Sequence, residues 1–257
     1  MIEIEQRPHG IVWVTFARPE ARNAMTFAMW ERLREIAGEL DADPAVRVVV
    51  FTGSGTRAFV AGTDISEFLA FKSADDGVAY ERRVSAVISA VERMRMPTIA
   101  AIGGACTGGG VSIAAACDLR IGTPSARIGI PVGRTLGNYV ALRNVARLAS
   151  IIGLDAAKRL LLTAQLLDAR AAREAGFLSE IVDDEAALAP RAQELAESIA
   201  ALAPVTLRAT KEAALRIRDA VPLPPDEDLV RAAYGSDDFR EGVQAFLAKR
   251  PAKWSGR

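Results

Sequence analysis

The chain has few of the residues that build disulfide frameworks and metal sites. Its 257 residues include two cysteines and one histidine. Cys106 and Cys117 each lie in an apolar stretch, so neither a disulfide framework nor a metal site is expected, and this cysteine usage fits a reducing compartment. His9 lies in an N-terminal turn, far along the chain from the glycine-rich segments described below. We therefore predict a cytoplasmic protein that needs no metal ion and no redox cofactor.

The chain also lacks an excess of charge of either sign and a long apolar run. Lysine and arginine total 32, as do aspartate and glutamate, so the formal net charge is zero. A balanced charge gives no general affinity for nucleic acid or for an anionic membrane surface. The apolar runs are too short for a membrane-spanning helix, and the N-terminus lacks the pattern of a signal peptide. Neither nucleic acid nor membrane is expected as a partner.

The first half of the chain alternates between strand and helix patterns, which predicts an α/β fold. Strand patterns cover residues 2–7, 11–16, 46–52, 97–102 and 118–121, and helix patterns cover about 27–40, 78–94 and 111–116. The runs 46–52 and 97–102 are almost continuously apolar, as expected of strands buried on both faces. Residues 66–77 are polar and poorly patterned, and we predict a mobile segment there.

From Asn138 onward the pattern is nearly all helical. Helices are predicted at residues 143–151, 155–162, 170–175, 185–202, 204–221 and 226–250. These helices have many apolar positions, which favours packing against other subunits. We predict two parts, an α/β core over residues 1–200 that holds the functional site and a helical oligomerisation region over residues 201–257.

Two glycine-containing segments carry the strongest chemical signal in the chain. They are residues 58–64, AFVAGTD, and residues 106–112, CTGGGVS. Glycines allow the backbone to approach a ligand, and backbone N–H groups at a helix N-terminus can bind a developing negative oxygen. The triple glycine alone also fits an ordinary tight turn or a phosphate loop, and its pairing with the earlier segment favours the oxyanion interpretation.

Together the two segments resemble the oxyanion-hole loops of the crotonase (enoyl-CoA hydratase/isomerase) superfamily. The resemblance extends over residues 2–257 and includes residues 18–24 (RPEARNA), 172–182 (AREAGFLSEIV) and 238–251 (DFREGVQAFLAKRP). It implies a crotonase-like ββα spiral core and a C-terminal helical region that forms a homotrimer or a dimer of trimers. It also implies an acyl-CoA thioester as the substrate, with no further cofactor.

The resemblance assigns roles to individual residues. Thr63 and Gly109 would be the two backbone donors of the oxyanion hole. Arg22 would contact a CoA phosphate, and Tyr234 and Lys249 would reach the CoA of another subunit, although surface positions explain these three residues equally well. The other positions implied along the substrate are Ala24, Ala61, Asp64, Ile65 and Gly108. For Asp64 the preferred interpretation is a helix N-cap in a capping box with Glu67.

Two positions depart from the hydratase pattern of this family. Hydratases carry a glutamate two residues after the third glycine and another in a Gly-x-Pro-Glu segment, and these positions hold Ser112 and Val132 here. Serine is a poor base without a partner, and valine transfers no proton. The next segment carries Arg134 and Tyr139, which could bind a substrate carboxylate or donate to a leaving group. The alternative is a polar loop in which Asn138 caps the following helix.

Three hypotheses follow from these residues. The first is an acyl-CoA enzyme that stabilises an enolate without the two-glutamate mechanism, acting as an isomerase, a decarboxylase, a hydrolase or a ring-cleaving enzyme. The second is an enoyl-CoA hydratase whose acids come from elsewhere, such as Glu67 or Glu81. The third is a non-catalytic acyl-CoA-binding subunit. In each, Ser112, Val132, Arg134 and Tyr139 are expected to line the acyl pocket.

Overall fold

The chain folds around two β-sheets, and the computed structural model describes all 257 residues. The strands are β1 Ile2–Arg7, β2 Ile11–Phe16, β3 Val48–Gly53, β4 Ala58–Val60, β5 Thr98–Ile102, β6 Ala105–Thr107, β7 Leu119–Gly122, β8 Arg127–Gly129, β9 Leu167–Asp168 and β10 Glu180–Ile181. The larger sheet has the order β1-β2-β3-β5-β7-β10, and the smaller has the order β4-β6-β8-β9. Only the β1–β2 and β8–β9 pairs are antiparallel.

Eleven α-helices surround the sheets. They are α1 Phe27–Ala42, α2 Ala74–Glu92, α3 Gly109–Ala116, α4 Val132–Thr135, α5 Leu142–Ile152, α6 Leu154–Thr163, α7 Ala169–Glu174, α8 Leu188–Ala200, α9 Pro204–Arg218, α10 Glu227–Tyr234 and α11 Asp237–Leu247. Short 3-10 helices occupy Pro8–Gly10, Pro19–Ala21 and Ile65–Ala70. None of the helices combines the length and the apolar character that crossing a bilayer requires. The predicted α/β class is confirmed.

The central strands of the larger sheet are buried on both faces. One face contributes to a core cluster of 49 residues that includes Val49 and Phe51, and the other to a cluster of 12 that includes Val48 and Val50. Helix α8 covers the second face with its apolar side, including Ala192. Successive side chains of a strand point to opposite faces, so a strand with two buried faces needs an almost continuous apolar run. The prediction for residues 46–52 and 97–102 is therefore confirmed, with the strands at Val48–Gly53 and Thr98–Ile102.

The predicted helix over residues 226–250 is wrong, because the structure divides it into α10 and α11. The break falls at Gly235 and Ser236, where the Ser236 hydroxyl accepts a hydrogen bond from the Phe239 N–H and caps α11. A serine N-cap starts a new helix even where the apolar spacing continues. The all-helical expectation after Asn138 also missed the two-residue strands β9 and β10.

The prediction of a mobile segment at residues 66–77 is not supported. This stretch forms most of the 3-10 helix Ile65–Ala70 and the first turn of α2. Phe68 is buried, and its ring lies 5.1 Å from that of Phe71 and 5.0 Å from that of Tyr80. The Asp76 carboxylate accepts hydrogen bonds from the Lys72 and Ser73 backbone N–H groups at the start of α2. Phe68 and Phe71 thus anchor this stretch to the core.

A buried ion pair joins α2 to α5. The Arg147 guanidinium donates to both carboxylate oxygens of Glu92, at 2.6 and 2.8 Å, and Arg147 is 1% exposed. Arg218, at the end of α9, binds the same carboxylate. Burial alone would raise the pKa of Glu92, but the hydrogen bonds from the two arginines outweigh it and hold the pKa at about 2. The C-terminal region is thus tied to the core, and its role in oligomerisation stays a prediction.

Arg147→Ala is expected to destabilise the protein by about 3–5 kcal/mol, because it leaves a buried carboxylate short of a partner. Urea unfolding followed by circular dichroism measures this loss. Arg231→Ala is the matched control, since Arg231 forms its ion pair with Asp75 at the exposed surface. It should leave the unfolding free energy nearly unchanged. Equal losses in the two variants would contradict the importance of the buried pair.

Candidate active site

The two glycine-containing segments meet where β4 and β6 end side by side. The strands are parallel, and the Thr107 hydroxyl, at the end of β6, donates to the Ala61 carbonyl oxygen at 3.0 Å. A Cβ placed on Gly62 would lie 3.8 Å from the Gly109 backbone nitrogen. Gly110 packs directly against the Val60 carbonyl, where any side chain would collide with it. The contact between the segments that the sequence predicts is therefore present.

Both predicted oxyanion donors are free of intramolecular partners. The Gly62 carbonyl and the Asp64 N–H pair with Met25, whereas no acceptor in the chain takes the Thr63 N–H. Gly109 is the first residue of α3, so its N–H has no carbonyl one turn earlier to bind. The positive end of the helix dipole lies at the same point. Gly108 precedes it with φ of 54°, in the left-handed region that favours glycine.

The Thr63 side chain is fixed by two aromatic residues. Trp30 Nε1 donates to Thr63 Oγ1 at 3.1 Å, and Thr63 Oγ1 lies 2.6 Å from the Tyr80 hydroxyl. Burial raises the pKa of Tyr80, so this hydroxyl keeps its proton. Two contacts on the side chain, with the backbone bridge to Met25, hold the Thr63 N–H in one orientation before any ligand binds. Such preorganisation is what an oxyanion site requires.

A small cavity of about 50 Å³ opens beside Gly109, and Tyr80, which contacts Thr63, also lines it. Its lining residues are Tyr80, Glu81, Val84, Gly108, Gly109, Ser112, Ile130, Val132, Asn138, Tyr139, Val140 and Asn144. The predicted acyl-pocket residues Ser112, Val132 and Tyr139 are among them. Arg134 is not, because it lies exposed on the short helix α4. The prediction that Arg134 lines this pocket is therefore wrong.

Glu81 supplies the only carboxylate that lines the cavity. It lies on α2, is 7% exposed, and accepts a hydrogen bond of 2.6 Å from the Tyr234 hydroxyl. Burial raises its pKa to about 7, although the Tyr234 hydrogen bond acts in the opposite direction. No lysine, arginine or histidine lines the cavity to compensate the charge. Glu81 is therefore a carboxyl group that can both release and accept a proton near neutral pH.

Asn138 and Tyr139 are two further polar residues that line the cavity. Asn138 Nδ2 donates to the Tyr234 hydroxyl at 3.0 Å, while Asn138 Oδ1 is buried without a partner. The alternative role of Asn138 as a helix cap is wrong, since the Asp226 carboxylate accepts from the Leu142 N–H at the start of α5. Burial raises the pKa of Tyr139 to about 12, so its phenol is a hydrogen-bond donor at neutral pH.

The residues predicted to lie along the CoA chain form one patch next to Thr63. The Ala61 N–H donates to the Arg22 carbonyl at 3.1 Å, and Arg18 links the Ala24 carbonyl to the Asp64 carboxylate. Ile65 continues from this patch as the first residue of its 3-10 helix. The Arg22 side chain is exposed. The backbone of residues 22–24 thus lies beside that of residues 61–65. The contacts of these residues with CoA stay predictions.

Asp64 acts as the predicted N-cap. Its carboxylate accepts from the Ser66 N–H at 3.2 Å and from the Ser66 hydroxyl at 2.7 Å. Burial alone would raise the pKa of Asp64, but these bonds and that from Arg18 lower it below its usual value. The capping-box half of the prediction is wrong, because the Glu67 carboxylate accepts instead from the Phe27 N–H at the start of α1.

Tyr234 and Lys249, the two C-terminal residues predicted to contact CoA, lie in different surroundings in the structure. Tyr234 is 3% exposed and hydrogen-bonds to Glu81 inside its own chain, so it is neither a surface residue nor free to reach another subunit. Lys249 is exposed just after α11, with φ of 53°. Tyr234 therefore connects the C-terminal region to the Glu81 carboxyl group, which lines the cavity.

Sequence reasoning missed Tyr80 and Asn144 as cavity residues and named Glu81 only in an alternative. One signal was available, because Glu81 lies on the same helical face as Gly77, Val84 and Ile88, which are apolar and buried. A carboxylate on such a face is buried either with a counter-charge or for a function.

Comparison with known proteins identifies the family. The family model described as enoyl-CoA hydratase/isomerase matches residues 6–257. YngF of Bacillus subtilis is 35% identical, over 95% of this chain and 94% of YngF. An enoyl-CoA hydratase/carnithine racemase structure from Magnetospirillum magneticum is 31% identical with a TM-score of 0.81, over 100% of this chain and 96% of that one. A methylmalonyl-CoA decarboxylase structure is 25% identical with a TM-score of 0.87, over 100% and 98%. The chain belongs to the enoyl-CoA hydratase/isomerase family, and the predicted resemblance is confirmed.

Glu81→Gln is expected to change how stability depends on pH. The folded-state pKa of Glu81 is raised from its ordinary value of 4.5 to about 7. The unfolded chain therefore loses this proton first, and the free energy of unfolding falls between pH 4.5 and pH 7 by up to about 3 kcal/mol. Urea unfolding at pH 5 and pH 8 measures the slope, which should be weaker in the variant. Glu67→Gln, the control, should keep the wild-type slope, and a Glu81→Gln slope equal to wild type would reject the raised pKa.

Proposed function

We propose that the protein binds an acyl-CoA thioester with the acyl group in the cavity and catalyses proton transfer through an enolate. The Thr63 and Gly109 N–H groups would bind the thioester oxygen as it becomes negative. Glu81 would take the proton from the α-carbon. The observation that carries the proposal is a buried carboxyl group with a pKa of about 7 in the same cavity as an oxyanion donor.

The cavity favours a reaction that uses one carboxyl group twice. A carboxylate that removes the α-proton becomes a carboxylic acid, which can return the proton to another carbon of the conjugated enolate. This sequence moves a double bond and needs no second acid or base. Ser112 and Val132, at the positions of the hydratase glutamates, offer none. Isomerisation of an unsaturated acyl-CoA is therefore the favoured reaction, with no metal or redox cofactor.

Hydration is the second candidate, and Asn138 is the reason to keep it. The unpartnered Asn138 Oδ1 can accept a hydrogen bond from a water molecule, and Asn138 lines the same cavity as Glu81. Decarboxylation is less favoured despite the similarity to methylmalonyl-CoA decarboxylase. Its substrate would bring a carboxylate into a cavity that holds Glu81 and no cation, and burying an unpaired charge is costly.

We also propose that residues 201–257 form the interface of a homotrimer or a dimer of trimers. Helix α9 buries none of its residues within the chain. Val205 and Ile217 on this helix and Val221 just after it are each more than 70% exposed. Large apolar side chains left exposed on and just after one helix support an interface, since monomers seldom expose extensive apolar surface.

Glu81→Gln is expected to slow α-proton exchange by about 10²- to 10⁴-fold, because the amide cannot accept the proton. The assay is mass spectrometry of acyl-CoAs incubated with the protein in heavy water. Glu67→Gln makes the same change at a carboxylate that caps α1 and should keep the wild-type rate. An unchanged rate in Glu81→Gln would reject Glu81 as the base. A gain of one water mass would support hydration instead, and binding with neither change would indicate a non-catalytic subunit.

Gly109→Val is expected to reduce exchange at least 10²-fold, the usual effect of losing one oxyanion donor. A Cβ at this position would lie 2.7 Å from the Trp30 ring, so the backbone N–H must move. Gly38→Val on α1 is the control, since a Cβ there meets nothing within 4 Å. Full exchange activity in folded Gly109→Val would contradict the assignment of the oxyanion hole.

A further inference from the structure

Tyr234 acts on the candidate active site from outside the cavity. It is not one of the lining residues, but its hydroxyl bonds to two side chains that are. The hydroxyl lies 2.6 Å from Glu81 Oε1 and 3.0 Å from Asn138 Nδ2. Tyr234 ends α10, Glu81 lies on α2, and Asn138 lies between α4 and α5. One phenol from the C-terminal region therefore joins polar groups that reach the cavity from two separate elements.

The chemistry of the three side chains places the protons of this network. Burial raises the pKa of Tyr234 well above its ordinary value, so the hydroxyl keeps its single proton. An ionised Glu81 carboxylate can only accept, so that proton must be donated to Glu81. The phenol oxygen then accepts from Asn138, and only the Nδ2 amide group can donate. The orientation of the Asn138 amide is fixed as a result, with Oδ1 as the atom that has no partner.

Packing holds the Tyr234 ring in one place. A Cβ on Gly77 of α2 would lie 2.3 Å from Tyr234 Cγ, so the ring lies directly against that helix. The centroid of the Phe239 ring is 4.8 Å away, and that of Tyr80 is 6.1 Å away. Because a ring enclosed in this way cannot follow a carboxyl group that moves, the hydroxyl determines where the Glu81 carboxyl group rests.

No other side chain donates a hydrogen bond to Glu81. Arg82, the next residue of α2, is exposed and pairs with a carboxylate at the surface. The Tyr80 hydroxyl is engaged elsewhere, and Tyr139 lines the cavity without bonding to Glu81. Removing the Tyr234 hydroxyl would therefore leave the Glu81 carboxylate without its side-chain donor.

The other surroundings of Glu81 disfavour its ionised form. Burial has the largest effect and raises its pKa, and the Asp226 carboxylate raises it further. Helices α3 and α5 contribute only uncharged residues to the cavity. The Tyr234 hydrogen bond lowers the pKa, more strongly than the Ala141 backbone N–H does. Without this bond, Glu81 should stay protonated to a higher pH.

From this geometry we infer that Tyr234 is the positioning residue of the base, because it holds the Glu81 carboxyl group and orients the Asn138 amide. The inference rests on the proposed function, since it takes Glu81 to be the group that removes the α-proton. Tyr234 neither touches the substrate nor transfers a proton. A residue of the C-terminal region thus sets the pH range in which the cavity can act as a base.

Carbon-13 NMR of protein labelled at the glutamate carboxyl groups follows the titration of Glu81 without a substrate. Loss of one signal in Glu81→Gln identifies it. Tyr234→Phe keeps the ring and removes only the hydroxyl, and the titration should move upward by about 1–2 pH units, the usual strength of a hydrogen bond to a charged group. Tyr80→Phe is the matched control, because its hydroxyl bonds to Thr63 instead, and it should leave the titration nearly unchanged.

The pH profile of proton exchange separates positioning from general structural damage. In Tyr234→Phe the rate should fall about tenfold at pH 7 and come within about twofold of wild type at pH 9, because Glu81 ionises later. Structural damage would lower the rate by the same factor at every pH. Gly77→Ala keeps the phenol but displaces its ring, and should shift the profile in the same direction. Gly38→Ala, whose Cβ meets nothing within 4 Å, should not shift it.

Two results would overturn the inference. One is a Glu81 titration in Tyr234→Phe that moves no further than in Tyr80→Phe. The other is an exchange rate in Tyr234→Phe that falls equally at every pH. Failure of the proposed function gives a different result. The Glu81 titration would then move as expected while the wild type exchanges no proton of any acyl-CoA, and the role of Glu81 as a base would be wrong.

Discussion

The site depends on the close approach of two backbone segments. Helix α3 begins beside the end of β4 only because Gly110 places no side chain against the Val60 carbonyl. The bond from Thr107 to the Ala61 carbonyl then fixes the distance between the segments. Two N–H groups without partners come to lie side by side as a result. Trp30 and Tyr80 then hold the Thr63 side chain, so the position of this pair depends on neighbouring side chains as well as on the backbone.

Helix α2 shows how the same residue type serves two purposes. Glu81 and Glu92 lie on its buried face, three turns apart. Glu92 meets Arg147 and Arg218 and has a pKa of about 2. Glu81 is buried, accepts hydrogen bonds only from neutral groups and lies within the influence of the Asp226 carboxylate, and its pKa is about 7. Counter-charge, not burial, separates them. One carboxylate holds three helices together, and the other is left able to exchange a proton.

The sequence predicts the two unpaired backbone N–H groups better than it predicts the buried carboxyl group. Thr63 and Gly109 are recognisable because glycines adjoin them and because the order of strand, loop and helix is local. Glu81 is not, since its surroundings come from α5 and α10, far along the chain. The prediction for Arg134 was wrong for the same reason. Arg134 is only two residues from Val132 in sequence, but it lies exposed on the outer side of α4. The buried faces of the central strands were predictable from their apolar runs alone.

The sequence by itself determined the family, the α/β class and the two glycine-containing segments, because each depends on short-range patterns of glycine and apolar residues. Only the tertiary structure decided which carboxylate lines the cavity beside Gly109 and which groups hydrogen-bond to it. These properties depend on residues such as Glu81, Asn138 and Tyr234, which come from three separate elements and meet through packing. This packing determines the charge state and the neighbours of each side chain, and neither can be predicted from the local sequence pattern.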